Sequence, residues 1–210
     1  MNSCKYRIRF DALAIRKILP LAFLFVAFNT GFAGELKVDQ SKPNLVKFVS
    51  KGPLGMFEGV TDKIDGFVSW AGDSTLVDSK LFFEVDLSSL DTRIALRNRH
   101  MREKHLETDK YPHAQYSGRL VNVEETGPNE LLVAAEGMMK IHGVERDLAM
   151  EAKVTVDGDV YHLQCNFDVK LSDFEIKTPK FMFLKVDENI KLVLDFYLRT
   201  AEDDESMLKR

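Results

Sequence analysis

Along most of this chain apolar and polar residues alternate with a period of two, the spacing that sends successive side chains to opposite faces of a strand. The pattern begins near Glu35, and Val46 and Phe48 face one way while Lys47 faces the other. Asp65 to Trp70 alternates with Gly66 beside Asp65, as in a strand leaving a turn. Between Leu76 and Leu87 the set Val77, Ser79, Leu81, Phe83, Val85 and Leu87 opposes Asp78, Lys80, Glu84 and Asp86. Ala114 to Val123 reads as a strand, and Gly127-Pro128-Asn129 as the turn after it. Leu131, Val133, Ala135, Gly137 and Met139 share the next face. His142-Gly143 is a second turn, and Leu148, Met150, Ala152, Val154 and Val156 share the face that follows. Asp157-Gly158 is the strongest two-residue hairpin signal. Beyond it Tyr161, Leu163, Cys165, Phe167, Val169 and Leu171 line up. A Pro-containing loop, Ser172 to Lys185, leads to a last strand whose inner set is Ile190, Leu192, Leu194, Phe196 and Leu198.

About eight strands with short connections, and no strand–helix–strand rhythm, predict an all-β antiparallel fold, either a closed barrel or a two-sheet sandwich. One stretch departs from the pattern. Asp86 to Gly118 is charged and helix-compatible, so a helical insertion is expected near residues 91–110. Ile94, Met101 and His105 or Leu106 fall roughly along one stripe of it. Arg93, Arg97, Arg99, Arg102 and Lys104 make it strongly basic. Two interpretations stand. The insertion is a solvated helix with one packed stripe, or it sets a rim of cations, Arg97 and Arg102 with His100, at a barrel mouth, able to meet an anionic head group.

The ends change the picture of the whole. Lys5, Arg7, Arg9, Arg16 and Lys17 precede the apolar run Ile18 to Phe28, and Gly31 and Ala33 supply a small-x-small site. Such a leader is a secretory signal peptide, expected over residues 1–33 and too short to span a bilayer comfortably. The barrel or sandwich then occupies residues 34–200 as one domain, followed by a charged tail at 201–210. The mature chain would carry 24 basic and 32 acidic residues, a net charge of −8. That balance argues against nucleic-acid binding and against docking on anionic lipid. Only Cys165 would remain, so no intramolecular disulfide can form.

The inner faces are apolar but include small residues: Gly66, Ala135, Gly137, Ala152 and Cys165. Close-packed cores interlock large side chains, whereas small ones among Phe and Leu leave room. An eight-stranded barrel is wide enough to hold a small ligand. On that interpretation the early strands contribute Phe48, Val68, Leu81, Phe83 and Val85 to a lumen. The middle strands add Val133, Ala135, Met139, Met150 and Ala152, and the late ones Leu163, Cys165, Phe167, Leu192 and Leu194. The ligand would be a long apolar chain, gaining about 0.8 kcal/mol per buried methylene. On the other interpretation the same residues are an ordinary packed core.

Catalytic and metal patterns are not assembled in the sequence. There is no His-Glu-x-x-His, no Gly-x-Ser-x-Gly and no phosphate-cradling loop. His100 and His105, five apart, do not share a face of an α-helix. Asp86 and Asp91 are expected at a strand end and a helix start, capping free amides.

With those residues in view, five segments resemble the YceI-like family of exported polyisoprenoid-binding proteins. They are Asp86-Leu87 through Leu90-Asp91-Thr92, Arg97-Asn98-Arg99-His100-Met101, Tyr111-Pro112 leading into Ala114-Gln115-Tyr116, Met139 to Val144, and Leu171 to Ile176. Ser50-Lys51-Gly52 stands where the family often has a His, Asn98 replaces its commoner Asp, and Glu175 replaces its Gly. The resemblance implies a lipocalin-like antiparallel barrel with a helical excursion, holding a polyisoprenoid or quinone-like lipid in its lumen. The expectation is therefore an exported, periplasmic carrier without covalent chemistry or covalent cofactor. Its partners would be an apolar lipid, transiently a membrane, and in a dimer a second copy. The alternatives are a solid-core interaction module for a membrane or redox partner, and an enzyme acting on lipid.

Overall fold

The structure, a computed structural model, describes residues 34–52, 55–71, 76–178, 180–181 and 184–201. The expected signal peptide and all of the charged tail but Ala201 lie outside the described residues. Twelve strands follow in order: β1 (Gly34–Val38), β2 (Leu45–Gly52), β3 (Gly55–Thr61), β4 (Ile64–Trp70), β5 (Lys80–Asp86), β6 (His113–Gly127), β7 (Glu130–Ile141), β8 (Val144–Asp157), β9 (Val160–Lys170), β10 (Lys180–Phe181), β11 (Leu184–Lys185) and β12 (Asn189–Thr200). Ten of them form one antiparallel sheet that closes on itself between β1 and β12. The closed ring runs β1-β4-β5-β6-β7-β8-β9-β12, the eight-stranded antiparallel barrel of the lipocalin-like class.

Closure divides along β12. Its C-terminal part pairs with β1, from Val38 against Leu198 to Leu36 against Thr200. Its N-terminal part pairs with β2, from Leu45 against Asp195 to Val49 against Lys191. β3 continues from β2 and meets the insertion through a bridge, with Val60 N–H donating to Asp91 carbonyl at 3.0 Å and Asp91 N–H to Val60 carbonyl at 2.9 Å. The insertion is thus part of the wall. It fills the gap between β3 and the end of β5.

The turns follow from residues that tolerate left-handed backbone. His142 and Gly143, both at positive φ, join β7 to β8. The β8–β9 hairpin, expected at Asp157-Gly158, is set one residue later. Asp157 pairs with Val160, leaving Gly158 (φ 61°) and Asp159 as its two turn residues.

The insertion is held by buried polar side chains. Asn98 Oδ1 accepts from Thr92 N–H at 2.8 Å and from Thr92 Oγ1 at 2.6 Å, while its Nδ2 donates to Asp91 Oδ1 at 2.6 Å. Asp91 also accepts from Arg93 N–H at 2.7 Å. It does not cap the helix α1 (Ala95–His100), whose first flanking residue is Ile94 and which has no side-chain cap. The expectation of a capping role there is corrected: its carboxylate closes the turn before the helix and holds Asn98. Asp86 does cap a short 3₁₀ turn, Leu87–Ser89, by accepting from Ser88 N–H.

A second corner joins three other segments of the sequence pattern. The Tyr111 ring stands edge-on to His142 at 4.6 Å, and a Cβ on Gly143 would come within 2.7 Å of it. His142 Nδ1 lies 3.3 Å from the Phe174 carbonyl, in the 3₁₀ turn Leu171–Phe174. Glu175 ends that turn in left-handed backbone at φ 56°, which explains why glycine suits the position.

Two stability measurements check this. Asn98→Ala should lose about 1–3 kcal/mol in urea unfolding, because the buried Thr92 donors are left unpaired. Glu175→Gly should gain up to about 1 kcal/mol in the same measurement by relieving left-handed strain, less the entropy glycine adds to the unfolded chain.

Candidate functional site

The barrel is hollow. A cavity of about 910 Å³ runs through it, from Leu76, Leu131 and Tyr161 at one end to Arg97, His100 and Phe174 at the other. Its wall is made by the inner face of every strand of the ring. Large side chains that point inward, among them Phe83, Met150, Leu163, Phe167 and Leu194, are only half-buried because they face open space. A packed core would have buried them.

Seventeen of the eighteen residues expected at a lumen line this cavity. Phe48, Val68, Leu81, Phe83 and Val85 do so on the first side, then Val133, Ala135, Met139, Met150 and Ala152, then Leu163, Cys165, Phe167, Leu192 and Leu194. At the mouth Arg97 and His100 join them. Arg102 does not. It is half-buried outside the lumen, and its charge acts on Asp91, whose carboxyl Asn98 and the Arg93 N–H already hold below the usual range.

The small inner residues divide into two groups. Ala135, Ala152 and Cys165 open space in the lumen, as expected. Gly66 and Gly137 do not line it. A Cβ on Gly137 would sit 2.3 Å from the Ser117 carbonyl, and one on Gly66 (φ 146°) 2.2 Å from that of Phe82. They are glycines because strands approach and coil tightly there, which a side chain would forbid.

The expected cationic rim is also corrected in part. Arg97 lines the mouth with its stem, but its guanidinium is engaged. Nε donates to Thr92 Oγ1 at 2.8 Å, a terminal nitrogen to Thr92 carbonyl at 2.6 Å, and the group lies over the Phe57 ring at 4.7 Å. It fastens the insertion to β3 rather than presenting a free charge to the lumen.

Met101–Leu106 continues α1 as a π-helical turn. With the wider winding, residues five apart come to one side, so His100 and His105 both face the cavity. The expectation that they point apart assumed α-helical spacing and is overturned. The stripe expected through Met101 and His105 or Leu106 does face inward, and the π-helical turn sets both His105 and Leu106 against the cavity. Among the described residues no three His, Cys, Asp or Glu side chains group as metal ligands.

Inside the wall, polar groups are quiet. Burial pushes the Cys165 thiol up to about 11, and its Sγ lies 3.1 Å from the Glu151 carbonyl. Burial likewise lifts the Tyr116 phenol to about 12, and its O–H donates to the Leu148 carbonyl at 3.1 Å. Neither is a ready nucleophile or base.

A closed antiparallel barrel with an apolar hollow and a helical cover at one mouth is a lipocalin-like binding barrel. The YceI-like domain family matches residues 29–198, and the chain belongs to it. Among solved structures the chain resembles BcnA of Burkholderia cenocepacia, with 21% identity and a TM-score of 0.62 over 79% of this chain and 99% of that one. It also resembles a polyisoprenoid binding domain from Saccharophagus degradans implicated in plant cell wall breakdown, with 19% identity and a TM-score of 0.63 over 79% and 98%. A YceI protein of Campylobacter jejuni matches at 16% identity and a TM-score of 0.52 over 69% and 85%. At these identities the likeness is one of fold. No curated protein matches the chain.

His105 gives a pH prediction. Burial, with the nearby His100 and Lys104, holds its imidazole below the ordinary 6.5, against the opposing hydrogen bond to the Lys177 carbonyl. The unfolded chain therefore takes up the proton first. The stability this neutral group contributes is whole above pH 6.5 and is lost as pH falls below that value toward the folded pKa. Thermal melts across this range should show a decline that His105→Gln flattens; parallel curves for the two proteins would contradict it.

Proposed function

We propose that this protein is an exported carrier that holds a long apolar chain, a polyisoprenoid or quinone-like lipid, inside the barrel without covalent chemistry. The cavity carries the proposal: about 910 Å³ lined almost wholly by aliphatic and aromatic side chains. That volume is near the upper end of ligand pockets, which run to roughly 1,000 Å³. Its shape suits a chain. β12 has twelve residues, about 40 Å of strand at ~3.4 Å each, or about 30 Å of axis at a barrel tilt near 40°. Burial of methylenes along such a wall would hold the chain at about 0.8 kcal/mol each.

Family membership supports lipid binding, and a neighbour of the same fold is a polyisoprenoid binding domain. The basic leader and apolar run at residues 1–33 support export to the periplasm. The raised Cys165 and Tyr116 pKa values and the engaged Arg97 favour binding over catalysis. The hollow itself argues against the solid-core interaction module.

Expression with the native leader, followed by solvent extraction and mass spectrometry, should recover a polyprenyl or other long-chain lipid in near-equal amount to protein. Ala135→Leu with Ala152→Leu should fill the lumen, cutting recovered lipid several-fold while the circular dichroism and melt stay close to wild type. A wild-type protein that carries no lipid, or variants that lose stability but not lipid, would defeat the proposal.

A further inference from the structure

Five large apolar side chains are well exposed among the described residues, and the three most exposed stand together at the cavity mouth. Met56 is 75% exposed, Leu96 54% and Ile94 51%, against 39% and 38% for Val77 and Met138 elsewhere. Met56 comes from the start of β3, and Ile94 and Leu96 from the insertion facing it. All three also line the cavity, so the outer apolar patch is continuous with the lumen. A side chain that must only seal the lumen has no need to show half of its surface to water.

The charges around this lip differ from those of the chain as a whole. Lys51 precedes the hairpin beside Met56, and Arg93, Arg99 and Lys104 flank Ile94 and Leu96; all four are exposed. The acids nearby are exposed Asp91 and Glu103, half-buried Glu58, 3.9 Å from Arg93, and exposed Asp187, whose N–H donates to the Lys51 carbonyl at 2.8 Å and whose carboxylate accepts from Asn189. Asp91 is engaged by Asn98 and the Arg93 N–H. Four exposed cations of an acidic protein thus stand beside its most exposed apolar residues. That pairing is complementary to one surface in particular, a bilayer with anionic head groups and a hydrocarbon layer just beneath them.

We propose that Met56, Ile94 and Leu96, flanked by Lys51, Arg93, Arg99 and Lys104, form a docking lip that seats the barrel mouth on an anionic lipid bilayer. The lipid then passes between membrane and lumen along a continuous apolar path. This rests on the reading of the cavity as a lipid site. The overall negative charge opposes close approach. The four cations beside the exposed apolar residues favour an orientation with the lip toward the bilayer.

Flotation of the full mature protein with vesicles tests it. Binding should be stronger to vesicles containing phosphatidylglycerol than to pure phosphatidylcholine, and should weaken as salt is raised. Ile94→Ser with Leu96→Ser should weaken it at least about tenfold, as burial of such side chains predicts. Arg99→Glu with Lys104→Glu should weaken it on the order of tenfold or more, at about 1 kcal/mol per cation near the surface. All these residues are exposed, so the barrel should stay folded. Occupancy by parinaric acid, an apolar fluorescent probe measured without vesicles, reports on the lumen separately. No flotation by a protein that takes up the probe would overturn the lip while leaving the carrier proposal standing. Vesicle binding without probe uptake would do the reverse. Equal flotation of wild type and variants would overturn the lip. So would a dimer, seen by sedimentation without vesicles, that the same substitutions dissociate, since the patch would then belong to a second copy.

Discussion

A hollow protein cannot be held in shape by the interlocking of side chains that fixes an ordinary core. Here the constraint is the main chain itself. Eight antiparallel strands close into a ring through β1 and β12, so each stave is hydrogen-bonded on both edges. With no edge left to fray, the wall keeps its curvature while its inner face goes partly unpacked. The buried apolar residues form a continuous lining, from Leu36 and Phe196 to Ile141 and Phe174, rather than a filled centre. The side chains that would have filled it, such as Phe167 and Met150, keep much of their surface facing the void.

Outside the ring, β3 extends the sheet from β2 and leaves a gap before the end of β5. The helical insertion closes it, held by a dense set of polar side-chain bonds. Asp91, Thr92, Arg97 and Asn98 form one network; Tyr111, His142 and Phe174 form the second corner. The segments that resemble the YceI-like family are these same residues. Their shared role is architectural: they fasten a cover at the mouth. The lumen wall only needs to be apolar and about the right size, so it carries no comparable residue pattern. Family resemblance therefore speaks more strongly about shape than about which lipid is held.

The lip and the cover are two aspects of one element. The insertion turns Arg97 inward to Thr92 and Phe57 and leaves Ile94 and Leu96 outside. Its last part winds as a π-helix, which brings His100 and His105 together at the entrance. A neutral imidazole is compatible with an apolar mouth, whereas a protonated one is costly there.

Period-two alternation was enough to determine the strands, the inward faces and hence nearly all of the lumen wall, because a strand's side-chain direction depends on nothing but position parity. Residue types that tolerate left-handed backbone marked the turns at His142-Gly143 and near Gly158. β3 was not legible: Gly55-Met56-Phe57-Glu58-Gly59 has too little alternation to declare itself, and only pairing with β2 makes it a strand. Gly66 and Gly137 looked like room in the lumen, and close strand approach gave them another meaning. The placement of Arg102 and the engagement of Arg97 could not be inferred, since helix winding and the folded-state partners of those groups settle where they point. Whether the interior was packed or empty was the largest matter that alternation left open. Both cases write the same apolar faces; a closed ring of eight strands can be filled or hollow, and whether side chains from opposite walls meet across it decides between them.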